Sequence, residues 1–172
     1  NFVNEMVAHP DDPNTVFAAT NRGIMRTIDG GETWSNPVEN AAGMPLTTPA
    51  GDVKISSDGT VLIADIGTQA YVSNDGGTVW EKVSTGGENA ITNLAGRLEF
   101  DISPQDKNYI YCQASKNDGS LYNIYRSTDA GQTWTIIGPG GSDDFNPLGD
   151  QGTFDNVIAV YPDNKDEILV GG

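Results

Sequence analysis

Three charged residues near the starts of apolar runs are the candidates for chemistry on a ligand: Glu5, Arg97 and Asp155. Two carboxylates that flank a glycosidic bond can hydrolyse it, at ~5 Å apart in retaining and ~6.5–9.5 Å apart in inverting enzymes. An arginine beside them would bind an anionic group through its planar guanidinium. The alternative is that all three are solvated loop charges. No carboxylate pair lies close enough in the sequence to guarantee contact, so we predict ligand-binding residues here and no catalytic residue in this segment.

A second set of carboxylates, Asp143, Asp144 and Asp150, lies in the loop at 140–152. Calcium takes several oxygen ligands, including carboxylates and the backbone carbonyls of irregular loops. The spacing is not that of an EF-hand. Calcium is therefore the candidate cofactor of this loop, and a solvated acidic loop without metal is the alternative.

The sequence has one histidine, His9, and one cysteine, Cys112. Because no second histidine is present, a zinc site built on histidines cannot be formed within this segment. We likewise expect no Ser-His-Asp triad around His9. Cys112 has no second cysteine with which to form an internal disulfide. We predict that His9 is a turn residue and that Cys112 is buried in an apolar strand.

The charge balance limits the class of partner. Among 172 residues there are 24 Asp and Glu against 9 Lys and Arg, a formal net charge of −15. Binding to nucleic acid or to anionic lipid depends on clustered basic residues. No apolar run approaches the ~20 residues that cross a bilayer. We therefore expect no nucleic-acid partner and no membrane insertion.

The chain is built from an internal repeat. An eight-residue phrase occurs at 27–34, 73–80 and 127–134, as TIDGGETW, SNDGGTVW and STDAGQTW. A second phrase occurs in step with the first and begins at residues 7, 53, 98 and 157. It consists of an apolar run, a turn rich in Pro, Asp, Asn or Gly, and a second apolar run. Two phrases that keep one register indicate repeated structural units.

Each unit is predicted to contain four short strands, with a DGG-type hairpin between the third and the fourth. The tryptophans that end the three phrases follow one another at spacings of 46 and 54 residues. Four strands at this period are typical of β-propeller blades. We predict an all-β fold, a β-propeller of four-stranded antiparallel blades, with about three and a half blades of a larger ring. The predicted repeats span 3–46, 50–94, 97–142 and, incompletely, 155–172. All belong to one domain, and the remaining blades of a parent chain are its expected partners.

Superposing the first strands by sequence makes Val7, Val53, Glu99 and Val157 equivalent. Two residues earlier stand Glu5, Gly51, Arg97 and Asp155. Ligands of propellers usually lie over the central channel, where these positions would converge. This superposition is the basis for the predicted ligand site.

The eight-residue phrase resembles the Asp-box, or bacterial neuraminidase repeat, of pattern Ser/Thr-x-Asp-x-Gly-x-Thr-Trp. The first and third copies match throughout, and Val79 replaces the threonine of the second. We predict a structural role for these residues, since Asp caps a turn, Gly allows a positive φ and Trp fills the space between sheets. They are Thr27, Asp29, Gly31, Trp34, Ser73, Asp75, Gly77, Trp80, Ser127, Asp129, Gly131 and Trp134.

The resemblance extends to sialidases, xyloglucanases, sortilin-type receptors, a photosystem assembly factor and secreted propellers of Bacteroidetes, which are the most similar in phrasing. It implies an extracellular or cell-surface protein that binds carbohydrate or protein. A glycoside hydrolase of the sialidase or xyloglucanase kind is one alternative, and an assembly or sorting factor is the other.

Overall fold

The computed structural model describes residues 2–36, 44–83, 91, 96–138 and 145–172. These residues form thirteen strands and no helix. The strands are β1 (Val3–Ala8), β2 (Val16–Thr20), β3 (Gly23–Thr27), β4 (Ala50–Ile55), β5 (Leu62–Ile66), β6 (Ala70–Ser73), β7 (Glu81–Lys82), β8 (Arg97–Ile102), β9 (Ile110–Ser115), β10 (Leu121–Ser127), β11 (Thr135–Ile136), β12 (Val157–Tyr161) and β13 (Asn164–Gly171).

The strands form four antiparallel sheets in chain order, and each sheet is one repeat. Blade 1 contains β1–β3, blade 2 contains β4–β7, blade 3 contains β8–β11 and blade 4 contains β12 and β13. In blade 1 the described residues show the fourth strand as a bridge between Arg26 and Ser35. The prediction of an all-β partial propeller is therefore confirmed. In the part of the chain described above, no helix is long and apolar enough to cross a membrane.

The first strands of the four blades lie side by side. β1 contacts β4, β4 contacts β8, and β8 contacts β12. This is the arrangement of the innermost strands around a propeller's central channel. Side chains at the starts of these strands therefore gather at one end of the channel.

Three apolar interfaces hold the blades together, and each joins one blade to the next. We call the side of a blade that carries its Asp-box tryptophan the Trp face, and the other side the opposite face. Trp80 of blade 2 packs in one cluster with Phe17 and Ile24 from the opposite face of blade 1. Blade 3 covers the opposite face of blade 2 in the same way, and blade 4 covers that of blade 3.

Strand pairing corrects the sequence superposition of the blades. In the structure Glu5 lies opposite Ala19, Asp52 opposite Asp65, and Glu99 opposite Gln113, each pair three positions beyond the first pair of its hairpin. Glu5, Asp52 and Glu99 are thus equivalent, so the superposition was wrong by two residues in blade 1 and by one in blade 2. β1 (VNEMVA) and β4 (AGDVKI) lack the strict alternation of apolar and polar residues that fixes register in a sequence.

Candidate functional site

An open cleft of about 420 Å³ lies where the starts of the inner strands meet. Three repeats and the segment before the fourth line it: Phe2 and Asn4 lie at the start of the first, Gly51 and Asp65 are in the second, Arg97 is in the third, and Thr153 precedes the fourth. The volume is in the range of small-molecule sites, about 300–1,000 Å³. The lining combines hydrogen-bonding groups with one aromatic ring.

Asp65 is the most unusual residue of the cleft. It is only 4% exposed, and burial raises its pKa to about 7, opposed by the backbone amides of Leu98 and Thr68 and by the Arg97 guanidinium. Its Oδ2 accepts a long hydrogen bond of 3.5 Å from the Leu98 amide. Its Oδ1 is buried without a hydrogen-bond partner of ordinary geometry among the described residues. A buried carboxyl that is weakly paired is suited to exchange a proton or a hydrogen bond with a ligand.

Gly51 gives the Asp65 side chain its space. A Cβ at position 51 would lie 2.7 Å from Asp65 Oδ2. Any larger residue would therefore displace the carboxyl group from its place beside the cleft.

Next to Asp65 lies a network of charges that joins three blades. Lys54 Nζ lies 2.8 Å from Asp52 Oδ1, 3.3 Å from Glu99 Oε1 and 3.6 Å from Glu5 Oε1. Burial opposes a charge on Lys54, but the three carboxylates outweigh it and raise the pKa of its ammonium. The ammonium therefore balances like charges that would otherwise repel one another.

Arg97 continues this network into the cleft. One guanidinium nitrogen, Nη2, donates to Glu99 Oε2 at 2.9 Å, and the other, Nη1, donates to the Phe154 carbonyl at 2.8 Å. These two bonds fix the guanidinium at the wall of the cleft. Its charge acts on Asp65, whose pKa it lowers against the larger effect of burial.

Two other aspartates, the buried Asp52 and the half-buried Asp101, have structural partners. Asp52 Oδ2 accepts from the Phe100 amide at 2.8 Å, and Asp101 Oδ2 accepts from the Val160 amide at 2.7 Å. Each carboxylate thus satisfies the free edge of the next inner strand, which would otherwise present unpaired donors. Burial and the charge of Glu99 raise the pKa of Asp52 to about 7, while Lys54 and the Phe100 amide oppose the shift.

The predicted ligand residues are divided between these features. Arg97 lines the cleft. Glu5 pairs with Lys54 instead. The Asp155 side chain is exposed, next to the residue whose carbonyl binds Arg97. Their role in binding a ligand stays a prediction.

The predicted calcium loop falls largely outside the described residues. Asp143 and Asp144 lie outside the described residues, and Asp150 is exposed. Within the described parts of the chain no three His, Cys, Asp or Glu residues are grouped to hold a metal ion. Calcium at this loop stays a prediction.

The three Asp-box hairpins share one hydrogen-bond pattern. In the first, Thr27 Oγ1 donates to Asp29 Oδ1 at 2.7 Å and accepts from the Gly31 amide at 2.9 Å. The Thr33 amide and hydroxyl donate to the two oxygens of Asp29 at 2.9 and 2.5 Å. These bonds, led by the Thr33 hydroxyl, lower the pKa of Asp29 to about 2. The third hairpin has the same bonds around Asp129.

The second hairpin departs from the pattern at one position. Asp75 accepts from the Val79 amide at 2.9 Å, but valine has no hydroxyl to bind its other oxygen. The tryptophans differ as well. Trp80 and Trp134 are 1% and 6% exposed, whereas Trp34 is 39% exposed, because no sheet in the described chain lies against it. The expected burial between sheets therefore holds for two of the three tryptophans.

The comparisons with known proteins agree with this geometry. The model of the BNR/Asp-box repeat family matches residues 125–135, which include most of the third hairpin. An ancestral GH74 enzyme superposes on 98% of the chain with a TM-score of 0.68 and 14% identity. The chain has the fold of a β-propeller segment and contains a BNR/Asp-box repeat.

Two further solved structures resemble this Asp-box segment. YCF48 bound to D1 peptide covers 78% of the chain at 19% identity and a TM-score of 0.53. The GH74 enzyme of Niastella koreensis covers 98% at 18% identity and a TM-score of 0.52. The segment spans 21%, 39% and 33% of these three chains, in the order given. At such identities the likeness establishes the fold alone, and no curated protein matches the sequence.

Sequence reasoning missed Asp65, the central residue of the cleft. Asp65 lies in the second strand of its blade, whereas the search considered the first strands. One signal was present, because Ala19 and Gln113 occupy the equivalent positions in blades 1 and 3. A carboxyl group at the buried position of an alanine is costly unless it has a role.

Proposed function

We propose that this segment is part of an extracellular or cell-surface propeller that binds carbohydrate at the mouth of its channel. The observation that carries the proposal is the cleft, since three repeats and the segment before the fourth line a single concavity. Thr68, Arg97 and Thr153 present donors and acceptors at its wall, and Phe2 adds an aromatic surface. Sugar hydroxyls both donate and accept hydrogen bonds, which suits a lining of this mixed kind. The extracellular location rests on the resemblance of the Asp-box phrases.

Arg97 and Asp65 are the residues on which binding depends most. The Arg97 guanidinium is held in place by Glu99 and by the Phe154 carbonyl, so little side-chain entropy is lost when a ligand accepts from it. Asp65 is held by burial and by the space that Gly51 leaves. A preorganised pair of this kind orients a hydroxyl-rich ligand.

Calorimetric titration with a xyloglucan oligosaccharide and a sialoside tests the proposal. We expect Arg97→Ala and Gly51→Ala each to weaken binding of the recognised sugar at least tenfold, because one removes a donor and the other displaces Asp65. Asp11→Asn, an exposed change far from the cleft, is the matched control and should leave binding unchanged. Equal affinities in wild type and both cleft variants would contradict the proposed site, and binding of peptides but not sugars would assign a protein ligand instead.

One observation favours glycoside hydrolysis as a second candidate function. A general acid needs a carboxyl group whose pKa is raised, beside a second carboxylate that stays ionised. Asp65 meets the first requirement, because its pKa is raised to about 7 and it lines the cleft. The lining formed by the described residues holds no second carboxylate, so a hydrolase would take that group from another part of the ring. Release of reducing sugar by the wild type at saturating xyloglucan that is lost in Asp65→Asn, also at saturating xyloglucan, would establish the hydrolase. Binding without any release of sugar would leave the binding module.

A further inference from the structure

The turn between β5 and β6 carries Thr68 on the wall of the cleft. It is a two-residue hairpin turn, in which Ile66 and Gln69 exchange backbone hydrogen bonds of 2.9 and 3.3 Å. The φ angles of the two residues between them, Gly67 and Thr68, are 59° and 61°. Both central residues are therefore left-handed, as in a type I′ turn. This conformation favours glycine or asparagine and is costly for a β-branched side chain.

The corresponding turns of blades 1 and 3 have glycine where φ is positive. Between the second and third strands of blade 1 the positive φ is at Gly23, where it is 84°. Between the second and third strands of blade 3 it is at Gly119, where it is 87°. A left-handed conformation has no steric cost for glycine, whereas it strains a residue with a Cβ. Thr68 is thus less favourable for its turn than glycine would be, and the turn alone does not explain it.

One other residue with a Cβ has a positive φ in the described chain, and packing explains it. Ala130, with a φ of 55°, lies in the third Asp-box where the first two have Gly30 and Gly76. Ala130 packs against the apolar cluster between blades 2 and 3, and this contact offsets its strain. The Thr68 hydroxyl, in contrast, makes no hydrogen bond to the described residues. Gln69 Nε2 donates at 3.1 Å to the Thr68 carbonyl, an acceptor that any residue would provide.

We propose that Thr68 is a ligand-binding residue of the cleft, and that its hydroxyl selects ligands with a hydrogen-bonding group at this wall. The role of Thr68 rests on the proposed function and adds a residue on which its specificity depends. Strained backbone that no internal contact offsets is typical of ligand-binding residues. The hydroxyl can both donate to and accept from a sugar hydroxyl. A ligand that lacks the matching hydroxyl would leave a polar group unpaired, so it would bind more weakly.

Three variants separate the effect of the hydroxyl from the effect of the strain. Thr68→Gly removes both, Thr68→Val removes the hydroxyl but keeps the branched side chain, and Thr68→Ser keeps the hydroxyl. All three keep the Thr68 backbone amide, which lowers the pKa of Asp65 against the larger effect of burial. Calorimetric titration of the full-length protein with a xyloglucan oligosaccharide and a sialoside measures binding. Thermal unfolding of the same samples measures stability.

We expect Thr68→Gly and Thr68→Val each to weaken binding of the recognised sugar by roughly three- to tenfold, the effect of one lost hydrogen bond. Thr68→Ser should bind within about twofold of the wild type, because it retains the hydroxyl. Thr68→Gly should also raise the unfolding midpoint by roughly 1–3 °C, because it relieves the left-handed strain, whereas Thr68→Val should not raise it. Ala130→Gly, at the other strained residue, is the matched control and should leave sugar binding unchanged.

A higher midpoint together with weaker binding in Thr68→Gly would support the proposal, because a purely structural residue would not give both. Unchanged sugar affinity in both Thr68→Gly and Thr68→Val would overturn it, while a loss of binding in Arg97→Ala would still support the cleft as the ligand site. A lower midpoint in Thr68→Gly would also overturn it, since the threonine would then stabilise its turn. A wild type that binds neither sugar would contradict the proposed function itself, and the role of Thr68 would fail with it.

Discussion

The aspartates of the Asp-box hairpins and those of the channel end differ in every physical respect. Asp29 is half-buried on a hairpin, accepts three short hydrogen bonds and has its pKa lowered to about 2. Asp65 is buried beside the cleft, accepts one long hydrogen bond and has its pKa raised to about 7. Residues that repeat along the chain form the hairpins of the blades, whereas Asp65, which differs from its equivalents Ala19 and Gln113, lines the cleft.

The largest effect is expected at the hairpins. Trp80→Ala should destabilise the chain by about 3–5 kcal/mol, as large aromatic truncations in cores do, because Trp80 is 1% exposed. Trp34→Ala should cost less than half of that, since Trp34 is 39% exposed. Urea unfolding monitored by circular dichroism, at concentrations where the chain is monomeric, measures both. Equal losses would mean that Trp34 is covered in solution.

At the cleft we expect a substitution to raise the free energy of unfolding rather than lower it. The pKa of Asp65 is raised to about 7 in the folded chain, while an unfolded aspartate titrates near 3.9. The folded state therefore binds more protons between these values, so the Asp65 contribution to stability falls as the pH rises from about 4 to about 7. Asp65→Asn should remove that slope and raise stability at pH 8 by a few kcal/mol, at ~1.4 kcal/mol per pKa unit.

Unfolding midpoints at pH 5 and pH 8 provide the measurement. Asp29→Asn is the matched comparison, because the pKa of Asp29 is lowered in the folded chain. Its contribution to stability is complete above the pKa of an unfolded aspartate and is lost only as the pH falls toward about 2. It should therefore leave the difference between pH 5 and pH 8 unchanged. An unaltered difference in Asp65→Asn would show that Asp65 is ionised in the folded chain.

The sequence predicted the fold well because folding depends on its repeated phrases. The Asp-box and the two apolar runs place each hairpin, and the structure has strands at those positions. The site was harder to predict, because it depends on register between blades. Asp65 reaches the cleft only because Gly51 faces it from the neighbouring strand, and Lys54 meets three carboxylates from three different strands. Lys54 and Asp52 lie in one strand, but Glu5, Glu99 and the Gly51–Asp65 contact depend on how separate strands pair and pack.

The smallest effect tests whether the hairpin hydroxyl contributes to stability at all. Thr133 Oγ1 donates to Asp129 Oδ2 at 2.6 Å, whereas Val79 at the equivalent position of blade 2 cannot donate. Val79→Thr should therefore stabilise the chain by about 0.5–1 kcal/mol, the usual net worth of one hydrogen bond at an accessible site. Thr133→Val should destabilise it by a similar amount. Urea midpoints of both variants and of the double variant measure the difference, and the two changes should cancel because the hairpins lie in different blades. If Val79→Thr left stability unchanged while Thr133→Val lowered it, the second hairpin would have compensated for its missing hydroxyl through the Thr78 amide, which donates to Asp75 Oδ1 at 3.0 Å.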